Sequence, residues 1–211
     1  MIDPLFTEID KFDNWARSLY SIPQDDIGGE WECGYKDWGQ IYSAFEAFVS
    51  SADPTSWSDP EKGRLLYIIA RDNETELLAH DLPDQAVIVL AAYALSNGHR
   101  DDKFQLAKRL SIISDEEIAA NLLEQLVNDE DEYVCRIALM ELAKVKAEKI
   151  EYYAELFWNR NKYGEMDEYQ KMAVLQSLKA SGSKQLGHYI QLAKQQGGQY
   201  LQQSASRLQG E

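Results

Sequence analysis

Apolar residues recur along much of this chain at the three- and four-residue intervals of a helix with one buried face. Two stretches do so in nearly the same words. "DEYVCRIALMEL" runs from Asp131 to Leu142, and "DEYQKMAVLQSL" runs from Asp167 to Leu178, 36 residues later. In the first, Val134, Ala138, Leu142 and Val145 form one stripe. In the second, Gln170, Val174 and Leu178 take the matching positions, with Leu175 beside them. Asp131 and Asp167 stand where a carboxylate favours the positive end of the helix dipole. Tyr133 and Tyr169 then fall in the first turn.

Two more worn copies flank the pair. "DKFQLAKRLSII" carries Leu106, Leu110 and Ile113, and "GQYLQQSASRL" carries Tyr200, Leu201, Ala205 and Leu208. Shorter amphipathic segments precede the last three phrases: Ile118, Leu122 and Leu126 in the first; Tyr153, Leu156 and Phe157 in the second; Tyr189, Ile190 and Leu192 in the third. Each unit therefore reads as helix, short polar turn, helix, repeating every 31–36 residues. Two helices of that length cannot bury their apolar faces alone, whereas stacked copies can. A shared period would arise between any two amphipathic helices. It would not also produce the common Asp-Glu-Tyr start, the leading helix and the worn copies. Prolines at 4, 23, 54, 60 and 83, and none afterwards, leave the chain from Asp84 onward free for helices.

The phrase "DEDEYVCRIALMELAKV" resembles the second helix of a HEAT repeat, with Asp131, Val134, Arg136, Ala138 and Leu142 in the order that family uses. The arginine is missing from the other copies, where Met172 and Gln203 stand instead. The resemblance extends over residues 84–211, more loosely over 59–83, and does not cover 1–58. It implies an all-α fold, an αα-superhelix of stacked hairpins over 59–211, continuous with an N-terminal cap over 1–58.

That N-terminal section reads differently. Residues 4–20 form an amphipathic helix with Leu5, Ile9, Phe12, Ala16, Leu19 and Tyr20 on its stripe. A second helix, "IYSAFEAFVSS", carries Phe45, Phe48 and Val49. Between them runs "SIPQDDIGGEWECGYKDWGQ", with four glycines and the aromatics Trp31, Tyr35 and Trp38. Loops of this length with so many rings are uncommon. The rings either fold back to close the end of the stack, as a capping repeat requires, or serve as interface anchors ringed by Glu30, Glu32 and Asp37. Both uses are compatible if only some rings are buried.

Charge narrows the partners. The chain of 211 residues carries a net charge of −15. Residues 1–100 hold 18 acidic and 7 basic side chains, and residues 101–211 hold 18 and 14. Nucleic-acid phosphate needs clustered Lys and Arg, so it is excluded as the expected partner. Solubility alone accounts for such acidity, and so does a basic protein drawn in by long-range attraction. A second acidic run, Asp129, Glu130, Asp131 and Glu132, reads first as helix capping and secondly as further rim charge.

Motifs of catalysis are few. His80, His99 and His188 have neither His nor Cys at metal-ligand spacing. Gly-Gly at 28–29 and at 197–198 lacks the context of a phosphate loop. "NET" at 73–75 fits a glycosylation pattern, but no secretory signal gives it meaning. Cys33 and Cys135 read as free thiols of a reducing, cytoplasmic setting. The longest apolar run, Ala86 to Leu95, is short for a membrane span. The expectation is thus a non-enzymatic, cofactor-free binding protein. Size, acidity and the "DEYV" and "DEYQ" helices make it similar to bacterial HEAT-like immunity proteins. That similarity implies a toxin partner, a basic nuclease domain occluded by charge complementarity through Glu30, Trp31, Glu32, Tyr35, Asp37, Trp38 and the 129–132 run. A HEAT-like scaffold or adaptor without a toxin is the other reading.

Overall fold

The computed structural model describes residues 3–19 and 30–210. Among these are twelve α-helices, joined by turns and short 3-10 segments, and no strand. The all-α class expected from the periodicity is therefore the class observed. Contacts divide the chain into two compact units, Met1–Leu106 and Ala107–Glu211.

In the first unit α1 (Pro4–Leu19) packs on α2 (Trp38–Ser51) and on α3 (Asp59–Arg71). The stripe of α1 is buried at Leu5, Phe6, Ile9, Phe12 and Ala16. Leu19, expected on that stripe, is the last helical residue and is exposed, while Tyr20 lies outside the described residues. The proline-broken stretch after α2 is a tight turn. Asp53 accepts the backbone N–H of Thr55 at 2.9 Å, and Trp57 is pressed flat against Phe48 with centroids 5.5 Å apart. Glu61 then reaches back to the backbone N–H of Ser58 at 2.7 Å and fixes the start of α3.

Helix α3 packs on α5 (Asp84–Asn97). Between them lies the single turn α4 (Leu77–His80), entered through Glu76 in the left-handed region at φ 53°. Buried Asp72 holds this entry. Its carboxylate accepts from Tyr42 Oη at 2.8 Å, from the Thr75 hydroxyl, and from the backbone N–H of Leu78 at 2.8 Å. Burial and the carboxylate push the Tyr42 phenol up to about 12. The "NET" tripeptide is thus part of a structural turn. Helix α6 (Arg100–Leu110) crosses the division between the units, and Leu106 and Leu110 are fully buried on it.

The second unit contains the duplicated phrases. Three hairpins pair α7 (Glu116–Leu126) with α8 (Glu132–Val145), α9 (Ile150–Asn159) with α10 (Asp167–Ala180), and α11 (Leu186–Gln196) with α12 (Gln199–Gly210). The second helices also pack on one another in order, α8 on α10 and α10 on α12. Val134, Ala138 and Leu142 are buried as their stripe requires, as are Gln170, Val174 and Leu178. Val145, at the end of α8, is only half-buried. In the leading helices Leu122, Leu126, Tyr153, Phe157, Tyr189 and Ile190 are buried as expected, and the exceptions are Ile118 and Leu156, with Leu192 half-buried. Ile118 and Leu156 are exposed, while Ala119, Ala120 and Leu123 line α7, and Ala154, Phe157 and Trp158 line α9.

Polar ties join successive second helices. Gln170, with no exposed surface, donates from Nε2 to the backbone oxygen of Glu132 at 3.0 Å and to its Oε1 at 2.9 Å. Glu168 accepts the backbone N–H of Leu201 at 2.9 Å, serving α12 as a cap from the preceding hairpin. Gly198 permits this, because a Cβ there would stand 2.8 Å from the Glu168 carboxylate. The Gly-Gly pair at 197–198 is therefore a close-approach site.

Ala138 has no exposed surface and sits on α8, which touches α7, α9 and α10. Ala138→Asp would bury an unpaired charge at a cost of several kcal/mol. The variant is expected to lose its cooperative melt, followed by circular dichroism. A melt matching that of the parent would mean that α8 does not pack in this phase.

Candidate functional site

Phe12 is the centre around which the aromatic loop is built. It has no exposed surface. Trp15, Trp31, Tyr35, Trp38 and Tyr67 surround it with ring centroids at 5.6, 5.9, 5.1, 5.2 and 6.3 Å. The loop reaches it through a 3-10 turn, Trp31–Gly34, which turns Trp31 onto Trp15 at 6.0 Å. α2 then begins at Trp38, three residues before the start its apolar spacing suggests. Trp38 Nε1 donates to the backbone oxygen of Glu32 at 3.0 Å and closes the turn.

Of the six expected loop residues, Trp31, Glu32 and Tyr35 are buried, Trp38 is half-buried, and Glu30 and Asp37 are exposed. All three rings that a binding loop would use as anchors are thus turned inward or half inward, because α1 offers Phe12 and Trp15 for them to cover. Burial pushes the Glu32 carboxyl up, against a backbone hydrogen bond and the Arg71 guanidinium 3.8 Å from its Oε1. The same guanidinium lies 5.7 Å from the Trp31 ring and 5.4 Å from Tyr67.

What this end of the unit presents to solvent is negative. Glu30, Cys33 and Glu74 are all exposed, and their donor atoms lie within 4.8 Å of one another. Such a trio could hold a cation between its donors. Glu74 enters from the turn before α4, a partner for Glu30 that no local spacing indicated. The nearby charge of Glu30 pushes the Glu74 carboxyl up. Burial and the charges of Glu74, Glu30 and Glu32 push the Cys33 thiol up, which disfavours a reactive thiolate. Cys33 and Cys135 are both free.

The 129–132 run belongs to the other unit and to its helix starts. Asp131 caps α8 by accepting from the backbone N–H groups of Tyr133 and Val134 at 2.9 and 3.1 Å. Asp129 accepts from the backbone N–H of Asp131 at 2.9 Å. Glu132 is buried and takes Arg136 Nε at 2.9 Å. Glu130 alone of the four is fully exposed.

Repetition also organises a surface feature that sequence reasoning left aside. Arg136 lies with its guanidinium 4.7 Å from the Tyr133 ring and 5.4 Å from the Tyr169 ring, so it spans two copies of the repeated tyrosine. Tyr169 and Tyr200 are exposed and line an open cleft of about 550 Å³. Comparisons of this chain with protein-family models, curated proteins and solved structures give no match.

Two expectations follow. Trp31→Ala removes a ring packed on Phe12 and Trp15, a change that costs about 3–5 kcal/mol at buried aromatic sites. Its denaturant midpoint should fall accordingly. A variant of parental stability would return Trp31 to the list of surface anchors.

The second concerns Asp102 on α6, whose carboxyl is pushed up to about 7, chiefly by burial, against the His99 N–H at 2.9 Å and the charge of Lys103. The folded chain holds this proton more tightly than the unfolded chain. The resulting stabilisation is full below about pH 4 and is lost as pH rises to about 7, by at most about 4 kcal/mol. Asp102→Asn should therefore gain stability relative to the parent between pH 5 and pH 8 in urea melts. A pH-independent difference would assign Asp102 an ordinary carboxylate.

Proposed function

We propose that this protein is a HEAT-like αα-repeat binding protein whose partner is a basic protein domain. The observation that carries the reading is the exposed convergence of Glu30, Cys33 and Glu74 in a segment with 18 acidic and 7 basic residues over positions 1–100. Two carboxylates held so close repel, and a partner's Lys or Arg set between them relieves that repulsion. A surface of one sign also accelerates encounter with an oppositely charged partner. Three hairpins packed in order supply the rigid scaffold that stacked-repeat binding proteins use, and they support the solenoid reading. The resemblance of the "DEYV" and "DEYQ" helices to immunity proteins makes a nuclease toxin domain the partner to test first.

The test is capture of the partner from the native host, its identification, and measurement of association by stopped flow at several salt concentrations. A basic partner is expected, with association at least tenfold slower at low salt for the variant carrying Glu30→Lys and Glu74→Lys, and with a flatter salt dependence. An acidic or neutral partner with salt-independent association would refute the reading. A bound basic partner without nuclease or other toxic activity would remove the immunity role and leave the adaptor.

A further inference from the structure

The two intervals between successive second helices share their tyrosines and a glutamate, and they differ at the positions of Arg136 and Gln170, where the second has Met172 and Leu201. In the first, between α8 and α10, the Arg136 guanidinium lies 4.7 Å from the Tyr133 ring and 5.4 Å from Tyr169, with Nε donating to Glu132 at 2.9 Å. One repeat later, between α10 and α12, the corresponding residues are Tyr169, Tyr200 and Glu168, while the position of Arg136 holds Met172. This second interval contains the open cleft of about 550 Å³.

The cleft's lining is suited to a cation with flat faces. Tyr169 and Tyr200 are 38% and 60% exposed, so their rings are available to a ligand. Three carboxylates, Glu165, Asp167 and Glu168, line it against one ammonium, that of Lys171. That ammonium lies 5.8 Å from the ring of Trp158, which is not a wall of the cleft. Glu168 is held in place by the Leu201 N–H on its Oε1. Asp167 is 8% exposed and uses Oδ1 for the backbone N–H groups of Lys162 and Tyr163 at 3.3 and 3.1 Å. Its Oδ2 has no hydrogen-bond partner and is shielded from solvent, so Asp167 adds negative charge to the wall of the cleft, and Glu165 and Glu168 are the carboxylates nearer to solvent.

We propose that this cleft receives an arginine side chain of a partner protein, in the arrangement that the preceding interval makes with Arg136. A guanidinium suits it better than an ammonium, because a planar cation can stack on a tyrosine and donate edgewise to carboxylates at the same time. The inference rests on the reading that the partner is basic, and it names the residue recognised and the place.

The experiment titrates N-acetyl-arginine N-methylamide into the full chain and follows the Met166 methyl and the tyrosine ring signals by NMR. The lysine compound and the neutral citrulline compound are run beside it. Saturable shifts at Met166, Tyr169 and Tyr200 are expected, with the arginine compound at least threefold tighter than lysine and tenfold tighter than citrulline. Tyr200→Ala, a change at an exposed ring, should abolish the shifts and leave the melt unchanged. Glu165→Gln should weaken binding at least twofold.

Absence of saturable shifts, equal binding of citrulline, or shifts that survive Tyr200→Ala would overturn the proposal. Much tighter binding of free arginine than of the capped compound would assign the cleft to the amino acid and also overturn it. A basic partner that dissociates from Tyr200→Ala at the parental rate would overturn the cleft and leave the charge-based reading standing. An acidic partner together with saturable arginine binding would do the reverse.

Discussion

A helical hairpin of about thirty residues has more apolar surface than it can cover alone, and this shortage governs the second unit. Each hairpin must hand one face of its second helix to the next hairpin. α8 meets the demand most fully, with Val134, Cys135, Ile137, Ala138, Leu139, Leu142 and Ala143 all buried because α7, α9 and α10 surround it. α12 stands at the other extreme, with Leu201 and Ala205 buried and Tyr200 exposed. Hydrophobic stacking sets the order of the helices but leaves their axial register loose. Gln170 on Glu132, and Glu168 on the Leu201 N–H, are directional contacts, and a shift of one residue would orphan them.

These ties explain which parts of the fold were legible in the sequence. A period of three and four positions identifies a buried face, so the stripes of α8 and α10 could be read residue by residue. It cannot say how many neighbours a helix has. The full burial of α8 beyond its stripe was therefore invisible, and so was the exposure of Ile118 and Leu156 beside otherwise buried stripes. Cross-helix polar contacts leave still less trace. Gln170 took a core position in the stripe with nothing to mark its role, whereas its side chain ties α10 to α8. Asp131 and Asp167 looked equivalent, yet Asp131 caps its own helix while Asp167 faces back to the Lys162–Tyr163 turn.

The candidate site was legible in composition and not in direction. Trp31, Tyr35 and Trp38 announced a loop with something to cover, and both uses of those rings were consistent with their spacing. The deciding fact is Phe12 on α1, which supplies a buried centre for five rings and stands 19 residues before Trp31, a separation that local pattern cannot bridge. Glu74 was missed for a similar reason. It stands in the turn before α4 and meets Glu30 through the tertiary fold alone. Charge counts along the chain identified the acidic half, but only the geometry shows two carboxylates forced together at the surface.

The repeated tyrosine remains the least expected part of the opening pattern. A residue kept for stacking should be buried, as Val134 and Val174 are. Tyr133, Tyr169 and Tyr200 instead become progressively more open, from a ring held by Arg136 to one that is 60% exposed. An exposed phenol ring contributes little to folding, so core packing alone does not account for its recurrence at each helix start. The proposed cation between the rings would account for it, since Tyr169 borders both intervals and has a face to offer each. The chain fills the first interval itself. Acidic residues elsewhere can hasten a partner's arrival, but charge at a distance decays within about 10 Å in salt and does not hold a complex together. Residence depends on groups that are desolvated on contact, and tyrosine with a satisfied carboxylate is well suited to that task. The two proposals therefore differ in kind: carboxylates such as Glu30 and Glu74 suit the encounter with a cationic partner, and an interval such as Tyr169–Tyr200 suits its retention.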